Sequence, residues 1–171
     1  MDWMRSVRRW WGGQPEEESG RSGKASTVTH RTPPPPYYQD LLTVAARFVT
    51  EGKDRAAVLV AQMASEVIVE DILNRLIERK ELGYLRSAIF EAVESNFNIA
   101  KRSGVRVLYE ALSGDRELVA QPFWSRYCEH VSRRDDVTQT GRRPTPEEGM
   151  ESFQAVTDLV RYLERSLEAE A

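Results

Sequence analysis

Cysteine is almost absent from this chain: Cys128 stands alone among 171 residues, which rules out an intrachain disulfide and any disulfide-stapled scaffold. A reducing, cytoplasmic setting suits that usage. Histidine is nearly as scarce. His30 and His130 lie far apart, and the His/Cys spacing of a zinc site does not occur. Neither common glycine-rich phosphate loop is present, so the sequence asks for no metal and no cofactor. No apolar run approaches the roughly 18 residues that a membrane-spanning helix needs. A surplus of positive charge is missing too. The formal net charge of -3 excludes a protein that holds nucleic acid by bulk charge, so any RNA contact requires a local patch. Strand alternation appears nowhere.

What the chain does have is helical periodicity behind a polar tail. With 40% hydrophobic and 30% charged residues, it is long enough for one domain with a substantial core. Residues 1–36 read as a tail. Trp3, Trp10 and Trp11 alternate there with Arg5, Arg8 and Arg9, and Ser19 to Thr32 is polar enough to be disordered. A twin-arginine export signal fails because Gly12-Gly13 and an acidic run follow in place of an apolar segment. The tryptophans suit a docking peptide or interfacial anchor for a protein partner, or merely a short frayed helix. Pro33 to Pro36 reads as a stiff extended spacer, with a ligand for a proline-reading domain as the alternative.

The domain, residues 37–171, is expected to be all-α, an up-down bundle of four to five helices. Leu41, Leu42, Ala45, Phe48 and Val49 mark the first helix, which ends at Glu51-Gly52. A long helix follows from Asp54 to Glu81, its buried face read as Leu59, Val60, Met63, Val67, Leu73, Leu76 and Ile77. Another spans Tyr84 to Asn96 with Leu85, Ile89, Ala92 and Val93 inward. Val105 to Leu112 and the segment entered through Pro122-Phe123-Trp124 are helical as well. The last helix opens on a capping box, Thr145-Pro146-Glu147-Glu148, and carries Phe153, Val156, Leu159, Val160, Leu163 and Leu167 as its stripe.

Chemistry concentrates at Arg133-Arg134-Asp135-Asp136-Val137-Thr138-Gln139-Thr140-Gly141, followed by Arg142 and Arg143. This stretch, with Leu108 to Asp115 and Gln121-Pro122-Phe123-Trp124 ahead of it, resembles the signature of the HEPN superfamily, Arg-Arg-Asn-x-x-x-His-x-Gly. The resemblance covers Tyr37 to Leu167. Arg134 matches the arginine, Asp135 the polar position and Gly141 the glycine, while Gln139 stands where the histidine would be. Many HEPN domains are metal-independent RNases that act as dimers, in defence, toxin–antitoxin or stress settings. The resemblance therefore implies a helical bundle and a homodimer with two motifs face to face.

Glutamine cannot titrate near neutral pH, so the motif lacks its acid-base group. Arg134 can still hold a phosphate, and Arg133, Arg134, Arg142 and Arg143 are the residues expected to line an RNA or nucleotide pocket. Glu66 either flanks the second helix and faces water, or pairs with Arg133 or Arg134. His130 reads as a surface histidine; one turn before Arg134, it is also the only substitute for the missing acid-base group. Cys128 has no base on its own side of the helix and reads as buried packing. Three functions follow: a non-catalytic RNA or nucleotide binder, an interaction subunit without a nucleic-acid ligand, or an active HEPN RNase. A convergent, exposed arginine cluster favours the first, and arginines consumed by Asp135, Asp136 and Glu66 favour the second.

Overall fold

The computed structural model describes residues 35–94 and 96–169. Expectations for the tail up to Pro34, and for Ser95, lie outside them. The described residues form six α-helices and no strand: α1 (Tyr37–Thr50), α2 (Asp54–Arg79), α3 (Arg86–Ala92), α4 (Ser103–Ser113), α5 (Trp124–Gln139) and α6 (Pro146–Ala169). Short 3-10 turns, Gly83–Leu85 and Leu118–Ala120, precede α3 and α5. The described residues are thus the all-α bundle read from the sequence, with six helices where four to five were expected, because the long connection between α2 and α5 forms two short helices of its own. The body of the bundle is α1, α2, α5 and α6, and the shorter α3 and α4 occupy the long connection between α2 and α5. No helix here is long and apolar enough to cross a membrane.

Hydrogen bonds and close approaches fix the directions. Residues 51–53 join α1 to α2 as a tight turn, with Gly52 at φ +66°. At one end α1 returns to α6, where Tyr38 Oη donates to Glu164 Oε1 at 2.8 Å. The start of α2 lies on the start of α6, because Asp54 packs against Gly149. Its far end reaches the far end of α6, where Arg79 Nη1 donates to the Leu167 carbonyl at 2.7 Å. Helices α2 and α6 are therefore parallel neighbours, with α1 and α5 running the other way. That pairing makes α2 the central helix.

Its position explains where the sequence reading of α2 departs from the structure. Leu59, Val60, Met63 and Val67 are only half-buried. Ala57, Val58, Ala61, Ala64, Ile68, Val69 and Ile72 are the residues that fill the core beside Leu73, Leu76 and Ile77. A helix packed by α1 on one side and α6 on another needs a wide apolar surface, and alanines let its neighbours come close. The helix stops at Arg79, because Glu81 sits in the left-handed region at φ 57°.

The expected helix from Tyr84 to Asn96 is a 3-10 turn and a helix of 7 residues. Leu85 and Ala92 are exposed instead of inward, and Ile89 and Val93 are half-buried. The core places are taken by Phe97 and Ile99, which follow the turn at Glu94. At the other end of the chain the capping box forms as read. The Thr145 N–H donates to Glu148 Oε2 at 2.9 Å and the Glu148 N–H to Thr145 Oγ1 at 3.3 Å. The expected stripe of α6 is buried, apart from the half-buried Phe153.

Candidate functional site at the end of α5

Helix α5 presents one face to the core through Tyr127, His130, Val131 and Val137. This is a three-and-four spacing, so the arginines between these residues are drawn against neighbouring helices. Arg133 turns toward α6. Its side chain is 10% exposed; Nη1 donates to Ser152 Oγ at 2.7 Å and Nη2 to Glu151 Oε2 at 3.1 Å. Arg134 turns toward α2. Its Nη2 lies 3.7 Å from Glu66 Oε1, and Nη1 donates to Asp135 Oδ1 at 3.1 Å.

Glu66 is held in turn by Gln62, whose Nε2 donates to Oε1 at 2.7 Å. The pairing of Glu66 with Arg134 is thus one of the two sequence alternatives realised. Asp135 also forms an ion pair with Lys101, from the loop ahead of α4. The result is a closed series of charges, Glu66, Arg134, Asp135 and Lys101, that ties α2, α5 and the approach to α4 together.

Beyond α5 the chain turns at Gly141, φ +71°. Arg55, in the first turn of α2, donates to the carbonyls of Gly141 and Arg142 and clamps this turn. Arg142 pairs with Asp136, Nη1 to Oδ2 at 3.4 Å, and with the cap residue Glu148. Glu148 also lies 3.8 Å from Arg133 Nε. Its carboxyl is held below the usual range, first by the Thr145 N–H and then, despite some burial, by Arg142 and Arg133. Arg143 is exposed and has no ion pair among the described residues. Gln139, the last residue of α5, is exposed too.

The structure therefore brings Arg133 and Arg142 together on Glu148, places Arg134 on Glu66, and leaves Arg143 in solvent. A shallow hollow of about 350 Å³ runs along α5 and includes Cys128, Arg133, Asp136 and Arg142, but not Arg134.

His130 is not a surface residue. It is fully buried, and neither ring nitrogen has a hydrogen-bond partner. Burial pushes its pKa down to about 3, helped by the positive charge of Arg133 and Arg134. At neutral pH it is an uncharged core side chain that reaches no solvent, so it cannot substitute for the motif's histidine. The register Tyr127–Val131–Val137 already placed it inward; its polarity hid that. Cys128 is half-buried rather than fully packed, and burial raises the pKa of its thiol. Lys101, Gln62 and Ser152 were missed; the spacing of Gln62 four residues before Glu66 on one helix was a usable signal, while nothing local announces Lys101 or Ser152. Among the described residues no group of three His, Cys, Asp or Glu side chains could hold a metal ion. Comparison with family models, with curated proteins and with solved structures found no match to this chain.

Proposed function

We propose that this chain is a non-catalytic helical interaction module, in which the arginine motif holds the bundle together instead of holding RNA. The observation that carries this reading is the placement of Arg134 between Glu66 and Asp135, with Lys101 closing the series. An arginine that recognises phosphate needs its fork free and its charge uncompensated. Here both arms of the guanidinium meet carboxylates of the same chain. Cleavage of RNA without metal also needs a titratable group beside the phosphate. Gln139 does not titrate, the enclosed His130 is neutral, and the two carboxylates beside Arg134 are taken up within the chain, Glu66 by Gln62 and Arg134, Asp135 by Lys101 and Arg134.

A short single-stranded RNA titrated at physiological salt tests this. The expected outcome is no saturable binding and no cleavage, with Arg134→Ala lowering the melting temperature. Saturable binding that Arg134→Ala abolishes would sink the reading.

A second reading keeps the HEPN resemblance's ligand, RNA or a nucleotide held in a homodimer, and Arg143 favours it. That side chain is an exposed cation with no ion pair among the described residues, next to the motif. On this reading two copies contribute their motifs to one surface, and binding falls when Arg143 is changed to alanine.

A further inference from the structure

Among the described elements, only the 3-10 turn Gly83–Leu85 and α3 contain no buried side chain. Tyr84 is 81% exposed, and α3 packs more on that turn than on any helix of the bundle. Leu82, Ile89, Phe90 and Val93 meet the core only as half-buried side chains. One ring contact holds the middle of the segment: Phe90 stands edge-on to Phe97, with centroids 5.0 Å apart. Two ion pairs add to it, Arg86 Nη2 to Glu78 Oε1 at 2.5 Å and Arg102 Nη2 to Glu94 Oε2 at 3.1 Å. All four of these side chains are exposed, and such pairs contribute little.

The closed position also carries costs. Glu81 and Glu94, at φ 57° and 56°, both occupy the left-handed region, in which a Cβ is disfavoured. Each follows a helix in the place usually given to glycine. The Glu81 N–H donates to the Glu78 carbonyl, and the Glu94 N–H to the Glu91 carbonyl. Arg86 adds a third cost, because its Nε is buried without a hydrogen-bond partner. Water satisfies that donor once the segment lifts away. The flanks are built differently. Leu76 and Ile77 are buried before Glu81, and Phe97, Asn98 and Ile99 are buried after Glu94. Asn98 fixes the second flank, its Oδ1 accepting the Lys101 N–H at 3.1 Å. A weakly packed stretch thus lies between two anchored flanks, with a left-handed residue at each junction.

We propose that residues 82–94 are a releasable strap, which lifts off as one unit about Glu81 and Glu94 while α1, α2, α5 and α6 stay folded. Release bares the Phe97 ring, so the bundle presents this aromatic surface only in the open state. The strap goes beyond the interaction-module reading and stands whether or not the arginine motif binds RNA.

Native-state hydrogen exchange of the full chain, read by mass spectrometry at increasing sub-denaturing urea, provides the test. Amides of 84–94 are expected to be protected relative to an unfolded peptide, yet roughly 100-fold less than those of 61–77 in α2. Their exchange should change little with urea, because a local opening exposes little surface, whereas exchange in 61–77 should accelerate steeply. Phe90→Ala should speed exchange in 84–94 about tenfold and leave 61–77 unaltered. Glu94→Ala and Glu94→Gly both lose the pair with Arg102. The glycine variant should protect the strap roughly fivefold better than the alanine variant, because only alanine sets a Cβ in the left-handed turn.

Protection and urea dependence in 84–94 that match those of 61–77 overturn the proposal, since the segment then opens only with the whole bundle. Exchange at the unprotected rate overturns it as well, because nothing is then held closed. Equal protection in the two Glu94 variants overturns the hinge at that residue. The urea dependence is read on the wild type, so it decides even where Phe90→Ala fails to fold.

Discussion

Gly149 lies so close to Asp54 that a Cβ added there would meet Asp54 Oδ1 at 2.7 Å and its Cβ at 3.1 Å. This contact sets the spacing between the starts of the two parallel helices, α2 and α6. Glycine within a helix costs stability, by ~1 kcal/mol relative to alanine. At this position packing outweighs propensity. Gly149→Ala is therefore expected to destabilise the fold by ~1–3 kcal/mol, the range for overpacking a filled site. Thermal unfolding reads the effect. Adding Asp54→Ala removes the carboxylate from the clash and should recover part of the loss. A Gly149→Ala protein that melts higher than the wild type would refute the close approach.

Acid stability should carry the signature of His130. Buried and neutral, it has a folded pKa of about 3, below its ordinary value of 6.5. Between these values the unfolded chain binds the proton and the folded chain does not, so stability falls as pH falls from ~6.5 toward 3. Above that window the contribution is fully present. His130→Leu removes the titrating group along with two buried nitrogens that lack partners. Denaturant unfolding at several pH values should show a flatter acid limb for the variant, and stability at pH 7 equal to or above that of the wild type. An unchanged acid limb would mean another group governs it.

Restoring the missing histidine should not restore an enzyme. Gln139→His places an imidazole at an exposed position at the end of α5, while Arg134 stays engaged by Glu66 and Asp135. No RNA cleavage is expected from this variant, nor from its combination with Asp135→Asn, in which Glu66 still holds the guanidinium. Cleavage that appears in either and disappears on Arg134→Ala would support the HEPN-type reading over the one proposed here. Acid-base help is worth ~10²–10⁴-fold in rate, so such a gain would stand above background.

The parts of this structure that the sequence disclosed are those controlled by nearest neighbours along the chain. Thr145 and Glu148 form their reciprocal cap because three residues separate them, and nothing distant is required. Helix α6 shows a clean stripe because it packs mainly on one side. Helix α2 has apolar residues around most of its circumference, so choosing one face from its periodicity was bound to miss the alanines. His130 shows the opposite difficulty, a polar letter in a core register. In the motif itself, an acid among apolar residues made Glu66 a candidate partner for Arg133 or Arg134, and the fold selects Arg134. Lys101 came from a loop whose path toward Asp135 depends on the whole connection between α2 and α5. Charge type was legible at each position; which charges meet across helices depends on packing that local spacing does not carry.

The parallel pairing of α2 and α6 also dictates a schedule. Its contacts join Asp54 to Gly149 and Arg79 to Leu167, so the central helix waits for a partner synthesised well after it. At ordinary synthesis rates of roughly 5–20 residues per second, that delay is about 5–20 s. Throughout it α1 can cover only part of α2, and the surface meant for α6 faces solvent or whatever binds nascent apolar helices. Vectorial synthesis thus leaves this small bundle open for far longer than its local helix formation takes, and shortening α6 would prolong that state indefinitely.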